Sequence, residues 1–383
     1  MNRYLKLQNG SDIRGVAIEG VVNENVNLTK KEAFNIAISF SRWLSVKLDK
    51  PVNELRISVG SDSRLSANSL RGAILSALNY LEIHSLDCGI ASTPSMFMST
   101  IYDETKCDGA IMITASHLPY NRNGFKFFTR DGGLDKEDIT SILTNISEDI
   151  AFDLNPLASE KNNLIDLYSN MIVNIIRKKV NSANFNEPLK GMNIIVDAGN
   201  GSGGFFAEKV LEVLGANTKG SQFLDPDGTF PNHIPNPEDK VAMQSITDAT
   251  IKNKADLGII FDTDVDRAAV VDKFGKQVNR NRLIALMSVI ALKESPNSII
   301  VTDSVTSTGL SDFISNLGGV HHRFKRGYKN VINESIRLNK DNKLSHLAIE
   351  TSGHGAFKEN YFLDDGAYIV TKILIEVAKI NLE

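Results

Sequence analysis

One unit returns three times along this chain of 383 residues, and that recurrence limits the fold more than any other feature. Each copy opens on a short β-branched run ending in a polar or glycine-rich turn: LRISVGSDSR from 55, MNIIVDAGNG from 192 and SIIVTDSVTS from 298. Each continues into a stretch with apolar residues three or four apart, the helical period: SANSLRGAILSALNYLE, GGFFAEKVLEVLGA and STGLSDFISNLGG. Each closes on a second apolar strand feeding a loop rich in reactive side chains: GAIMITASHLP from 109, LGIIFDTDVDR from 257 and HLAIETSGHG from 346. The strand separations, from Ile57 to Ile113, Ile194 to Ile259 and Ile299 to Leu347, are 56, 65 and 48 residues, too long and too uneven for a solenoid. Alternating strands and helices predict the α/β class. The expectation is three tandem domains of mixed, mostly parallel sheet with flanking helices and an active site in the cleft between them, at the carboxyl ends of strands. The domains are expected at 1–155, 156–276 and 277–383, with linkers in EDIAFDLNPLASEKNN, around 148–163, and near Gly275 to Asn279.

Charge and hydropathy then remove whole classes of partner. Forty-two Lys and Arg against 46 Asp and Glu give a net charge of -4, without the basic excess that nucleic acid attracts. The longest largely apolar stretch, Leu283 to Leu292, is half of the ~20 residues a membrane span requires. The opening MNRYLKLQNGSDIRG lacks the pattern of a signal peptide, and two cysteines make no disulfide framework, so a reducing cytoplasm is the expected compartment. Cys88 and Cys107 read as buried small hydrophobes. Oligomeric state has no signature in the sequence.

The loops carry the chemistry. DTDVD places Asp262, Asp264 and Asp266 directly after LGIIF, and three anions within five residues repel unless a cation joins them. All-oxygen ligands suit a hard ion such as Mg²⁺. An EF-hand is ruled out, because its sixth and twelfth positions would be Arg267 and Lys273 rather than Gly and Glu. The alternative is a solvated acidic turn. TASHLPYNRNGFK presents Ser116 beside His117, with Lys126 ten residues on. A hydroxyl needs a neighbouring base or charge to act as a phosphoryl or acyl carrier, and this imidazole and ammonium can supply proton handling and anion stabilisation. A helix cap or turn is the ordinary reading of such a serine, and GxSxG is absent. Arg14 in SDIRG and Arg64 in VGSDSRLS place cations near glycine turns, of the kind that grip phosphate oxygens; a surface salt bridge is the plainer role for Arg64. ETSGHGAFKEN offers Glu350, Ser352 and His354 as a hydroxyl-binding edge, and FKRGYKN, with Lys325, Arg326 and Lys329, is either a basic turn or an anion clamp. VDAGNGSGG puts Gly199, Gly201 and Gly204 at GxGxxG spacing, but the acid at the ribose distance is Asp225, about 26 residues on rather than ~20, which argues against a dinucleotide site.

Taken in order, SDIRG, VGSDSR, TASHLP with NGFK, DAGNGSGG, PDGTFPNHIPNPE, DTDVDR and ETSGHGAFKEN closely resemble the α-D-phosphohexomutase superfamily of phosphomannomutases, phosphoglucomutases and phosphoglucosamine mutases. The seven matches run from Ser11 to about Gly366. The resemblance implies that Ser116 is carried as phosphoserine and that Asp262, Asp264 and Asp266, with the phosphoryl group on Ser116, bind Mg²⁺. It implies further that Arg14, His117, Lys126 and Arg267 surround the transferring group, and that Glu350, Ser352 and His354, with Lys325 and Tyr328, face the sugar. The implied reaction interconverts hexose 1- and 6-phosphates, an intramolecular phosphotransfer through a hexose 1,6-bisphosphate that serves as intermediate and activator. Two features depart from the pattern. Leu118 stands where many relatives have Asn, and no RxSGT loop, the fourth-domain phosphate clamp of the family, occurs in these 383 residues, so turnover is expected to be slowed. Mannose, glucose and glucosamine phosphates differ at C2, and Glu350 with Ser352 fits no single hydroxyl pattern. Two other functions fit parts of the sequence: a sugar-phosphate-binding homologue without turnover, and a Mg²⁺-dependent phosphatase whose DxDx[TV] loop would make Asp262 the nucleophile.

Overall fold

The computed structural model of the chain describes residues 3–152, 154 and 159–382. These fall into two compact units, the first holding residues up to Ile165 together with Pro226–Pro231, the second Asp166–Asp225 and Asn232 onward. The architecture is α/β, as the alternation of periods predicts. The first boundary expected from sequence, at 155, lies outside the described residues.

In the first unit the apolar runs at 56 and 109 become the neighbouring parallel strands Arg56–Ser61 and Gly109–Ile113, with His84–Ile90 parallel on the other side. The strand Arg122–Thr129 returns antiparallel on Gly109–Ile113, and Asp12–Val16 adds antiparallel to it. Glu160–Lys161, from the expected linker, pairs with the outer strand at Leu86 and Asp87. The helices Lys30–Leu48 and Ala67–Tyr80 pack on each other. The second buries Leu70, Ala73, Ile74, Ala77 and Leu78, the one face that a 3.6-residue period predicts. The first opens on a capping box, with Thr29 accepting from Lys31 N–H and Glu32 reaching back, a device typically contributing about 1 kcal/mol. Phe40 of that helix meets Phe127 of the sheet at 4.7 Å between ring centroids, inside one continuous core.

The second unit contains two four-stranded sheets. In one, Leu257–Phe261 runs parallel to Ile194–Asp197 and antiparallel to Ala268–Asp272, and Gln277–Val278 forms the far edge. In the other, Ile299–Asp303 lies parallel between Val320–Phe324 and Ser345–Ile349, with Gly355–Phe357 antiparallel beyond. The first and third expected helices form as Ala67–Tyr80 and Thr308–Asn316. The second differs: Phe206–Leu211 winds as a π-helix, burying Phe206, Ala207, Val210 and Leu211. The two sheets are stitched at their active ends. An isolated antiparallel bridge joins Arg267 to His354, and Gly366 N–H donates to the Val265 carbonyl at 3.1 Å. The helix Gly366–Leu382 then packs on both Ala268–Asp272 and the helix Arg280–Glu294. Among the described residues no helix is long and apolar enough to cross a membrane.

Candidate functional site

The sequence-predicted site residues fall into two sets, each built around loops that follow parallel strands, with Arg14 and Lys126 contributed from within antiparallel strands. Arg14, Ser116, His117 and Lys126 belong to the first unit; Asp262, Asp264, Asp266, Arg267, Lys325, Tyr328, Glu350, Ser352 and His354 belong to the second.

Gly109–Ile113 delivers the chain into the loop that carries Ser116, and there the backbone takes φ +50°, the left-handed region that costs a non-glycine residue energy. A buried relay holds it. Ser116 N–H donates to Thr114 Oγ1 at 2.9 Å, Thr114 Oγ1 donates to Asp62 Oδ2 at 2.7 Å, and Asp62 pairs with Arg64 at 3.2 Å, both side chains being inaccessible to solvent. Arg64 then reaches across the whole loop. Its Nη1 donates to the carbonyls of Pro119 at 2.8 Å and Arg122 at 3.0 Å, and its Nη2 to those of Leu118 at 2.7 Å and Ser116. Both sequence readings of Arg64 are therefore corrected: it is neither a surface ion pair nor a phosphate gripper, because its fork is committed to carbonyl oxygens in the interior. The Ser116 hydroxyl is 3.3 Å from His117 Nδ1. Arg14 donates to the Thr114 carbonyl at 2.6 Å and to Asp12 at 2.8 Å. Its strand can lie this close because residue 124 is glycine, where a Cβ would overlap the Ile13 carbonyl oxygen. Lys126, buried, sits opposite Met112 in the adjoining strand.

The aspartate loop is the opposite electrostatic case. Asp262, Asp264 and Asp266 are all fully buried, and one ligand oxygen from each lies within 4.8 Å of the others. Burial, then the charge of Asp266, pushes Asp262 well above the ordinary carboxylate range, against the pull of Arg267. Arg267 answers from the same turn: its backbone N–H reaches Asp262 Oδ1 at 3.2 Å and its Nε reaches Oδ2 at 3.0 Å. Burial lowers the Arg267 pKa, but Asp262 and Asp266 outweigh it and the guanidinium is held above its ordinary value. Its Nη1 donates to Asn236 at 3.1 Å. Val265, between the acids, is held at φ +68°, a conformation a β-branched side chain rarely adopts, so the loop's shape is imposed by its surroundings.

Those surroundings explain the glycines at GxGxxG spacing. A Cβ on Gly201 would stand 2.6 Å from the Thr263 carbonyl oxygen, one on Gly204 would overlap the Leu224 carbonyl, and Gly199 takes φ +51°. Ser202 then donates to that Thr263 carbonyl from its N–H at 2.8 Å and its hydroxyl at 3.0 Å. The glycines let one backbone buttress the aspartate loop rather than admit a pyrophosphate.

The loop after Ser345–Ile349 places Glu350, Ser352 and His354 beside the acids. His354 Nδ1 is 2.8 Å from Ser352 Oγ, while Nε2 is 3.7 Å from Asp266 and 3.6 Å from Asp364. Tyr328 stacks on the imidazole, with ring centroids 5.2 Å apart and planes 20° from parallel. Glu350 accepts from Gly327 N–H at 2.6 Å, and burial lifts its carboxyl to about 7 against that hydrogen bond. Lys325 is exposed on the turn before Tyr328. Asp303, fully buried at the end of its strand, accepts from Thr351 N–H at 3.2 Å and Thr351 Oγ1 at 2.6 Å and so fixes the root of this loop. Sequence reasoning missed Asp303, Asp364, Asn236 and the Thr114 and Asp62 relay. Only Asp62 had a local signal, its position two residues before Arg64. Cys88 and Cys107 are buried, and burial pushes the Cys107 thiol up to about 11 and Cys88 higher still, the inert behaviour expected of them.

The donor set fits a divalent cation: three buried carboxylates offering oxygen ligands, with Arg267 beside them. The chain matches the family described as phosphoglucomutase/phosphomannomutase in three alpha/beta/alpha domains: domain I over residues 6–153, domain II over 166–275 and domain III over 279–381. A phosphomannomutase/phosphoglucomutase of Pseudomonas syringae pv. tomato is 32% identical over 367 residues, covering 94% of this chain and 72% of that relative. A phosphoglucomutase of Neisseria meningitidis serogroup A is 33% identical over 323 residues, 83% of this chain and 66% of the relative. The crystal structure of a phosphoglucomutase/phosphomannomutase family protein from Burkholderia thailandensis superposes with a TM-score of 0.79 at 26% identity, over 97% of this chain and 76% of that one.

Proposed function

The chain belongs to the phosphoglucomutase/phosphomannomutase family, and from that premise we propose that it is a phosphohexomutase interconverting hexose 1- and 6-phosphates through a phosphoserine at Ser116. The observation that carries the reading is the fully buried aspartate triplet, an arrangement whose mutual repulsion calls for a bound cation. In this reading the first domain carries the serine loop, the second the aspartates and the third the sugar loop. Asp262, Asp264 and Asp266 would hold Mg²⁺. When bound, the ion supplies charge neutralisation and polarisation of a phosphoryl oxygen.

The chain's own residues do the rest. In the first half-reaction the P–O bond to Ser116 Oγ breaks as a P–O bond forms to the free hydroxyl of a hexose monophosphate, and the proton of that hydroxyl ends on Ser116 Oγ. His117 hands that proton over, a role its 3.3 Å separation from Oγ supports. The product is a hexose 1,6-bisphosphate, whose other phosphate returns to Ser116 by the same exchange in reverse. Arg14 and Lys126 offset the nearly two charges that a phosphoserine brings. Glu350 and Ser352 take sugar hydroxyls, and Glu350, with its raised pKa, donates a hydrogen bond below about pH 7 and accepts above it. Tyr328 and Lys325 border the same face, and His354 keeps Ser352 oriented through its Nδ1. A reducing cytoplasmic setting for the two thiols belongs to the same reading.

The phosphatase alternative is disfavoured because it leaves the loops that carry Ser116 and Glu350 without a role. The decisive experiment replaces the carrier. Ser116→Ala is expected to abolish isomerisation in a coupled assay, and the phosphorylated wild-type protein to resist hydroxylamine, which cleaves an aspartyl phosphate. Native rates from the Ser116→Ala protein, or a hydroxylamine-labile phosphoenzyme, overturn the reading.

A further inference from the structure

The turn PDGTFP, residues 226–231, is grouped with the first compact unit although its flanking residues belong to the second, and it lies against the segment that holds the serine loop. Gly228 is buried there. A Cβ on it would stand 2.5 Å from the Ser63 carbonyl oxygen and 2.8 Å from the Arg64 carbonyl carbon, so the turn rests its bare backbone on residues 63–65. The turn is braced internally by Asp227, which accepts from Thr229 N–H at 2.9 Å and Thr229 Oγ1 at 2.7 Å, and whose carbonyl takes Phe230 N–H at 3.1 Å. Phe230 is itself held at φ +49°, a costly conformation for a bulky residue. What that conformation achieves is visible in its side chain. The ring lies 5.3 Å from Arg64 Cζ.

A guanidinium has two chemically different surfaces. Its edge carries the N–H donors, and in Arg64 the edge is committed to Asp62 and to the carbonyls of Ser116, Leu118, Pro119 and Arg122. Its face carries no donor, and there an aromatic ring is the favourable neighbour: it attracts the cation and excludes water that would compete for the carbonyls. We infer that Phe230, seated by Gly228, is a positioning residue for Ser116, acting through the face of Arg64 to hold the phosphoryl-carrying loop in its left-handed conformation. The inference rests on the phosphoserine reading for its catalytic consequence and on geometry alone for its structural one.

The test separates the two. Hydrogen exchange is measured over residues 112–124 in the wild type, Phe230→Ala, Phe230→Leu and Phe230→Tyr, together with kcat, KM and the melting temperature. Phe230→Leu keeps an apolar side chain but removes the π-face, and Phe230→Tyr restores it. The expected result is exchange of the loop amides faster by about tenfold or more in the Ala and Leu proteins, and near-native in the Tyr protein. Alongside it kcat falls by about tenfold with KM little changed, since misplacing a reacting group by about 1 Å can cost up to ~10²-fold. Native exchange in both Phe230→Ala and Phe230→Leu overturns the inference, whatever the status of phosphoserine. Equal acceleration in all three variants also overturns it, because an aromatic ring at residue 230 would then not hold the loop. Faster exchange in the Ala and Leu proteins while Ser116→Ala retains full turnover leaves the positioning contact standing and sinks the phosphoserine reading instead.

Discussion

The serine loop and the aspartate loop solve the same geometric problem with opposite electrostatics. Both follow a parallel strand, both hold a non-glycine residue at positive φ, Ser116 at +50° and Val265 at +68°, and both are organised by an arginine paired with a nearby aspartate. Arg64 spends its fork on neutral carbonyls and has one acid, Asp62, to balance. Arg267 faces three acids within its own turn, and burial, reinforced by the charges of Asp266 and Asp264, raises Asp262 against its pull. In the proposed reading the first loop receives an anion, whereas the second, with its three buried acids, could hold a cation. A shared backbone device serves two loops of different charge.

Paired arginine variants sharpen this most. Arg64→Ala and Arg267→Ala each strip the partner from buried carboxylate, a change of about 3–5 kcal/mol. Thermal melts with and without Mg²⁺ distinguish them. A cation at ~100-fold its dissociation constant adds about 2.7 kcal/mol to any protein that binds it, so Mg²⁺ is expected to raise the melting of wild type and both variants, all of which keep the aspartates, but to narrow the gap to wild type only for Arg267→Ala, where it replaces the lost positive charge. Equal rescue of both proteins breaks the comparison.

The buttress behind the aspartates is tested next. Gly201→Ala drives a Cβ toward the Thr263 carbonyl, and overpacking of this kind costs about 1–3 kcal/mol. The expected outcome is a lower melting temperature and a weaker Mg²⁺ midpoint by calorimetric titration. Gly72, in the first unit's helix Ala67–Tyr80, has open space at its Cβ and ordinary φ. Gly72→Ala should therefore stabilise by about 0.5–1 kcal/mol, the smallest effect considered and one of opposite sign. Destabilisation by Gly72→Ala would show that a Cβ there meets a neighbour after all.

Between those two in size is a pH effect whose sign differs between the units. Glu350 titrates near 7 in the folded chain and at 4.5 otherwise, so between those values the folded state holds the extra proton. Its contribution to stability falls as pH rises from 4.5 to about 7 and is constant above. Asp87, in the first unit, is held below 3.8, since burial is outweighed by Lys161, the Gly89 N–H and Arg71. Its contribution is present above 3.8 and is lost as pH falls below it. Denaturant melts of Glu350→Gln across pH 5 to 8 should flatten the neutral-range slope seen in the wild type. An unchanged slope would place the titration elsewhere.

Much of this was legible in the chain. The six strands of the three repeats appear where β-branched runs stood, and the loops that follow carry Ser116, the aspartates and Glu350 as their residue types implied. Arg64 was misread, because an arginine near a glycine turn looks like a surface cation until the loop 52 to 58 residues later closes over it. The glycines at 199, 201 and 204 imitated a dinucleotide motif because close backbone approach needs the same residue whether the partner is a pyrophosphate or a neighbouring loop.

By itself the amino-acid order determined the periodic elements, their α/β alternation and the chemical character of each loop, since these depend on side-chain type and on spacings of two to four residues. Tertiary structure alone decided the partners: Arg64 with four carbonyls, Arg267 bridged to His354 eighty-seven residues on, Gly201 against Thr263 and Phe230 on the face of Arg64. Such contacts depend on how closely distant backbones approach, a property of packed elements that no local pattern encodes.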